Sequence, residues 1–197
     1  PPLMLSVSRI RGWMEPPPFL EIGELRRSLH DAGVLYVVTG SVAAMAYGVP
    51  AIPRDLDIAP DLETGNLERL ARILRHLGAK PEYDPNWSGG LSHEQCASWV
   101  PDPTDVSTLD HRLVTPHGEV DVVPLKSGSF ADLGARAIGG IAFGVPVRIA
   151  HLEHLILQCQ QWNRERDRRR LRQLLEARVR LEREGLPADI TERLTTR

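Results

Sequence analysis

Two short segments of this 197-residue chain alternate acids with branched apolar residues: Arg54-Asp55-Leu56-Asp57-Ile58 and Glu119-Val120-Asp121-Val122-Val123. On an extended backbone successive side chains point to opposite faces, so Asp55 and Asp57 share one face while Leu56 and Ile58 pack behind them. The two Cα atoms then lie ~6.6 Å apart, at ~3.3 Å rise per residue. Asp121 alternates with Val120 and Val122 and shares a face with Glu119. Such segments fit only a sheet with one face on a core and acids on the other.

The rest of the chain supplies that sheet with helices. Leu20, Ile22, Leu25, Leu29 and Ala32 recur at roughly helical spacing, and Gly33 is placed to stop the helix. Residues 34–39 are apolar and β-branched and predict a buried strand that runs into Thr39-Gly40-Ser41. Small residues from Ser41 to Tyr47 predict a short helix ended by Gly48 and Pro50. Residues 54–59 predict a strand. Residues 64–77 predict a helix with Leu67, Leu70, Leu74 and Leu77 on one face, capped by Thr64 or Asn66. From 81 to 105 Pro, Gly, Ser and Asp predict an irregular region or a weak strand with loops. Hairpins are expected over 107–124, turning at Thr115-Pro116-His117-Gly118, and over 138–149 around Gly144. Helices follow at about 151–162 and 167–183, the second with Leu171, Leu174, Leu175 and Val179 as its buried stripe. The fold class is α+β: a small mixed β-sheet with a C-terminal helical extension. The expected division is an N-terminal extension over 1–18 ending in Pro16-Pro17-Pro18, a catalytic domain over 19–150 and a helical region over 151–197.

Composition narrows the partners. A hydrophobic fraction of 42% and a mean hydropathy of -0.24 suit a globular protein, and no apolar run approaches the ~20 residues of a membrane span. The opening residues have no charged segment before a short apolar stretch, so no signal peptide is expected. Net charge is -2, but residues 164–183 hold nine arginines against four acids. Any nucleic-acid contact must therefore be local. Cys96 and Cys159 lack zinc-site spacing and are too few for a disulfide framework, which suits a reducing cytoplasm.

The acids define the chemistry. Two strands presenting three carboxylates repel one another unless a cation neutralises them, and hard oxygen ligands favour Mg²⁺ or Mn²⁺ over zinc. Gly40-Ser41 sits where a strand turns into a helix, a place where backbone N–H groups and a hydroxyl can approach phosphate. Metal-assisted phosphoryl or nucleotidyl transfer uses all of these parts.

At these residues the chain resembles the DNA polymerase β-like nucleotidyltransferase superfamily. Its pattern is a Gly-Ser or Gly-Gly pair opening a helix, Asp-x-Asp on the next strand and a third Asp on a later one. Within it the chain is similar to the minimal and AbiEii-like bacterial nucleotidyltransferases. His151-Leu152-Glu153-His154-Leu155-Ile156 is similar to their S-L-E-x-L-I helix start, and Arg164-Glu165-Arg166-Asp167 to their R-x-K-D. The resemblance covers roughly residues 20–180, except 80–110. It implies that Asp55, Asp57 and Asp121 are catalytic and bind the metal, with Asp121 helping to activate the acceptor hydroxyl. It further implies that Gly40, Ser41, Arg54, Arg164 and Arg166 hold the nucleotide. The implied reaction moves a nucleoside monophosphate from an NTP to an RNA or tRNA end, or to a partner protein, in a toxin–antitoxin or defence system with a cognate toxin or antitoxin. An antibiotic-modifying enzyme and a catalytically degenerate binding module are the alternatives. One departure stands out: a lysine common in the family's tail helix is replaced near Cys159 by Gln158, Gln160 and Gln161. Arg164 or Arg166 is expected to supply its charge.

Several other residues have ordinary explanations. For His151 and His154 the one acid at near spacing is Glu153, which faces elsewhere on the helix, so they are not expected to bind a metal. Trp87, Trp99 and Trp162 are expected as packing residues rather than base-stacking platforms, and Lys126 as a surface residue. The Arg-rich segment reads as a solvated helix face interleaved with Glu165 and Asp167.

Overall fold

The computed structural model describes residues 19–84, 90–123 and 129–186. Expectations for Pro16-Pro17-Pro18, Trp87, Lys126 and the 1–18 extension lie outside these residues. The fold is a mixed α+β structure. Its strands are β1 (Tyr36–Val38), β2 (Asp55–Pro60), β3 (Lys80–Pro81), β4 (Arg112–Thr115), β5 (Gly118–Val122), β6 (Ile138–Ala142) and β7 (Val145–Ile149). They form one seven-stranded sheet in the order β3-β4-β5-β2-β1-β7-β6. β2 runs parallel to β5 and β1 parallel to β7, and the other pairs are antiparallel. The helices are α1 (Ile22–Asp31), α2 (Gly40–Ala46), α3 (Thr64–His76), α4 (His93–Ser98), α5 (Phe130–Ala135), α6 (Leu152–Trp162) and α7 (Glu165–Glu184).

Each face of β2 and β5 has one job. Leu56 and Ile58 of β2, Val120 and Val122 of β5 and Leu113 of β4 are buried in the core, joined by Leu25 and Leu29 of α1 and Leu70 and Leu74 of α3. At about 25 cal/mol per Å² of apolar surface, each such leucine contributes roughly 2 kcal/mol when fully buried. α6 and α7 add Leu155, Ile156, Leu174 and Ala177 to the same core. Tyr47 and Arg180 pin these helices in place. The Tyr47 hydroxyl donates to the Ala150 carbonyl at 2.9 Å, and Arg180 donates to the Tyr47 carbonyl at 2.6 Å.

Several local readings are corrected. α3 is capped by Glu63, which accepts from the Asn66 N–H. Asn66 is instead buried and ties α3 to the start of β1, donating to Leu35 and Asp61 carbonyls. β1 is shorter than expected because Val34 closes the end of α1 by donating to Leu29, and Leu35 is half exposed. β4 begins only at Arg112, after a 3₁₀ turn over Val106–Thr108. α4 arises within the stretch expected to be irregular, started by a reciprocal cap between Ser92 and Gln95. Among the described residues no helix is long and apolar enough to cross a membrane.

Candidate active site

The parallel pairing of β2 with β5 builds the site. Its register sets Asp55 beside Glu119 and Asp57 beside Asp121, so four carboxyl-bearing positions form a block on the face away from the core. Asp55, Asp57 and Asp121 each offer an oxygen, and these oxygens lie within 4.8 Å of one another. Burial, then the neighbouring charges of Asp55 and Asp121, push the Asp57 carboxyl up to about 7, against the pull of Arg170 and Arg112. Glu119 is also raised, first by burial and then by Glu82, with Arg112 opposing. A cluster that resists its own ionisation is electrostatically suited to a cation. Three hard oxygen donors at this spacing fit Mg²⁺ or Mn²⁺.

Gly40 closes the site from the side of α2. Thr39 donates its N–H to the Asp57 carbonyl at 3.0 Å, which ties the turn to β2. Gly40 has φ +62°, and a Cβ there would overlap the Asp57 carboxylate. Glycine is therefore required twice, for the left-handed backbone and for the close approach. Ser41 is buried in the adjoining wall.

All eight residues expected at the site line one cavity of about 1070 Å³: Gly40, Ser41, Arg54, Asp55, Asp57, Asp121, Arg164 and Arg166. They are not equivalent. Arg164 is engaged, its Nε donating to Asp167 Oδ2 at 2.6 Å and a terminal nitrogen to Oδ1 at 3.2 Å. Its own N–H donates to the same carboxylate at 3.1 Å, and its guanidinium lies 4.6 Å from the centre of the Trp162 ring. The Arg-x-x-Asp segment thus starts the helix. Trp162 packs beneath Arg164 while lining the cavity, and Trp99 is buried, its indole donating to the Thr108 carbonyl at 3.0 Å. His151 caps α6, and burial lowers its imidazole.

Two arginines of the cavity were not singled out in the sequence. Arg170, one turn beyond Arg166 on α7, acts electrostatically on both Asp57 and Cys159. Its i, i+4 relation to Arg166 was the available signal. Arg112 of β4 reaches Asp55 Oδ2 at 3.0 Å and Asp121 Oδ2 at 3.8 Å. Once the turn at Thr115 to Gly118 is placed, counting back along the antiparallel pair puts Arg112 opposite Asp121.

Neither a protein-family model nor a curated protein sequence matches the chain.

Proposed function

We propose that the chain is a Mg²⁺-dependent nucleotidyltransferase of the DNA polymerase β-like superfamily, moving a nucleoside monophosphate from an NTP to a hydroxyl with release of pyrophosphate. One observation carries this reading. Three carboxylates with oxygens within 4.8 Å face a cavity of about 1070 Å³ that arginines also line. Asp55, Asp57 and Asp121 would hold the ion, whose chemistry is to neutralise charge on the phosphates. Arg54, Arg166 and Arg170 line the same cavity and would take the triphosphate with Gly40 and Ser41. The acceptor oxygen would form its bond to the α-phosphorus as the bond to the α,β-bridging oxygen breaks and pyrophosphate leaves, with Asp121 orienting the hydroxyl and taking up its proton. The acceptor is an RNA or tRNA end or a partner protein, in a cytoplasmic toxin–antitoxin or defence system.

A second reading rests on the cavity wall near β3 and β4. Glu82, Asp84 and Asp110 line it, and such acids would suit a polycationic small acceptor, as in antibiotic-modifying enzymes.

The test is incubation with each α-labelled NTP and Mg²⁺, with total RNA or lysate as acceptor, against Asp55→Ala/Asp57→Ala. Label transferred by the wild type and reduced at least about 10³-fold in the double variant is the expected result. The labelled species identifies the acceptor class. No transfer from any NTP, with no Mg²⁺-dependent nucleotide binding, would leave a degenerate binding module.

A further inference from the structure

The guanidinium of Arg112 is shared among four carboxylates. Two belong to the candidate metal site, Asp55 at 3.0 Å and Asp121 at 3.8 Å. Two lie outside it, Glu82 at 3.5 Å and Glu119 at 4.0 Å. Burial alone would lower Arg112, but Asp55, Asp121, Glu82 and Glu119 together hold it above its ordinary value. The Arg112 side chain is 35% exposed and Glu82 42%, whereas Asp55, Asp121 and Glu119 are 15%, 21% and 8% exposed, so Glu82 is the carboxylate on the solvent side of the arginine.

We propose that Arg112 is a built-in counter-cation of the Asp55, Asp57 and Asp121 site, competing with a divalent ion for Asp55 and Asp121 and yielding to it by withdrawing to Glu82. The inference rests on the metal reading of those three aspartates. A guanidinium and a divalent ion drawn to the same oxygens repel each other at close range, in a site with less water to screen them. Metal alone therefore binds against Arg112. A polyphosphate arriving in the cavity adds negative charge, offsets that repulsion and gives the displaced arginine an anionic partner. Metal and nucleotide then bind with positive coupling, each raising the affinity for the other by the same factor.

The test is Mn²⁺ binding to the full chain, followed by the electron paramagnetic resonance signal of free Mn²⁺, with and without a non-hydrolysable NTP analogue. Arg112→Gln should bind Mn²⁺ roughly tenfold tighter than the wild type without nucleotide. With the analogue present the gain should shrink to about threefold or less. Arg112→Lys, which keeps the charge but cannot fork across two carboxylates, should fall between the two. It serves as the measure if the Gln variant does not fold. Asp57→Asn should abolish tight Mn²⁺ binding. If Asp57→Asn abolishes binding while neither Arg112 variant tightens it, Arg112 is a brace, and the inference fails while the metal reading stands. If Asp57→Asn leaves Mn²⁺ binding unchanged, the metal reading fails and the inference falls with it.

Discussion

Arg26 on α1 is fully buried and donates to the carbonyls of Ala142, Val145 and Pro146, at 3.3 Å and 2.7 Å to the last two. Arg112 on β4 stands 35% exposed among the carboxylates of Asp55, Asp121, Glu82 and Glu119. Both are cations held by oxygen, yet the oxygens differ in what else they can hold. The carbonyls around Arg26 are neutral and belong to one β6–β7 turn, where directional hydrogen bonds fasten α1 to the sheet. The carboxylates around Arg112 are anions that a stronger cation can claim. A buried arginine thus serves structure where its partners are fixed dipoles, while the part-exposed one, on the reading proposed above, serves exchange where its partners are anions a metal can claim.

The comparison breaks first at Arg26. Arg26→Met keeps most of the apolar stem and leaves three carbonyls without their donor, so it should cost on the order of 4 kcal/mol. The melting temperature should fall by roughly 10 °C or more, and the response to Mn²⁺ should not change. A melting temperature within a degree or two of wild type would mean that the β6–β7 turn holds without its arginine. That would remove the structural half of the contrast.

Asp57 tests the exchanging half. Its carboxyl is raised from an ordinary 3.8 to about 7, chiefly by burial and then by Asp55 and Asp121. A carboxyl raised on folding contributes stability that is complete below its ordinary value and is lost as pH rises through the folded one. Without divalent ions, the wild type should therefore weaken between 3.8 and about 7. Asp57→Asn removes that titration. The variant should be more stable than wild type at alkaline pH, by on the order of 2 kcal/mol, and should match it in acid. Mg²⁺ should raise the melting temperature of the wild type and leave the variant's unchanged. Thermal melts across pH, with and without Mg²⁺, measure both effects, and a wild type indifferent to pH over this window would contradict the electrostatic account of the cluster.

Much of the site lay in the primary structure because the signals there are local. Alternation in Asp55-Leu56-Asp57 and Val120-Asp121-Val122 sets which side of a strand each acid faces, whatever the strand pairs with. Gly40 declares a turn. The pairing itself is not local: the parallel register of β2 with β5 joins residues more than sixty positions apart, and side-chain packing decides it. Arg112 was hidden for that reason in an unremarkable Arg-Leu-Val-Thr strand, although the hairpin turn carried enough information to place it opposite Asp121. The α4 and α5 helices are six residues each, too short to display a helical period. Their caps were the only legible trace, Ser92 with Gln95 and Ser129 with Asp132. Arg164 taught the opposite lesson, since a motif matched by resemblance proves to have a structural task in starting α7.

That pair also supplies the mildest test of the contrast, because Arg164 and Asp167 are an arginine and a carboxylate, as at Arg112, but in a fixed capping geometry, as at Arg26. Asp167 is 8% exposed and accepts from both the side chain and the backbone N–H of Arg164. Burial alone would raise its carboxyl, but the hydrogen bonds from Arg164 hold it below its ordinary value of 3.8. The sign is opposite to that of Asp57: the contribution is present above 3.8 and disappears as pH falls through the lowered value. Asp167→Asn should cost about 1 kcal/mol near neutral pH, the scale of a helix cap with a half-exposed partner. The cost should vanish in strong acid. If the partners' access to a metal rather than charge separates the two kinds of arginine site, Asp167→Asn should leave Mn²⁺ affinity within about twofold of wild type, since neither partner contacts Asp55 or Asp121. A larger change in metal affinity would mean that the start of α7 and the carboxylate cluster act as one electrostatic unit, with the arginines of the tail sharing the role assigned to Arg112.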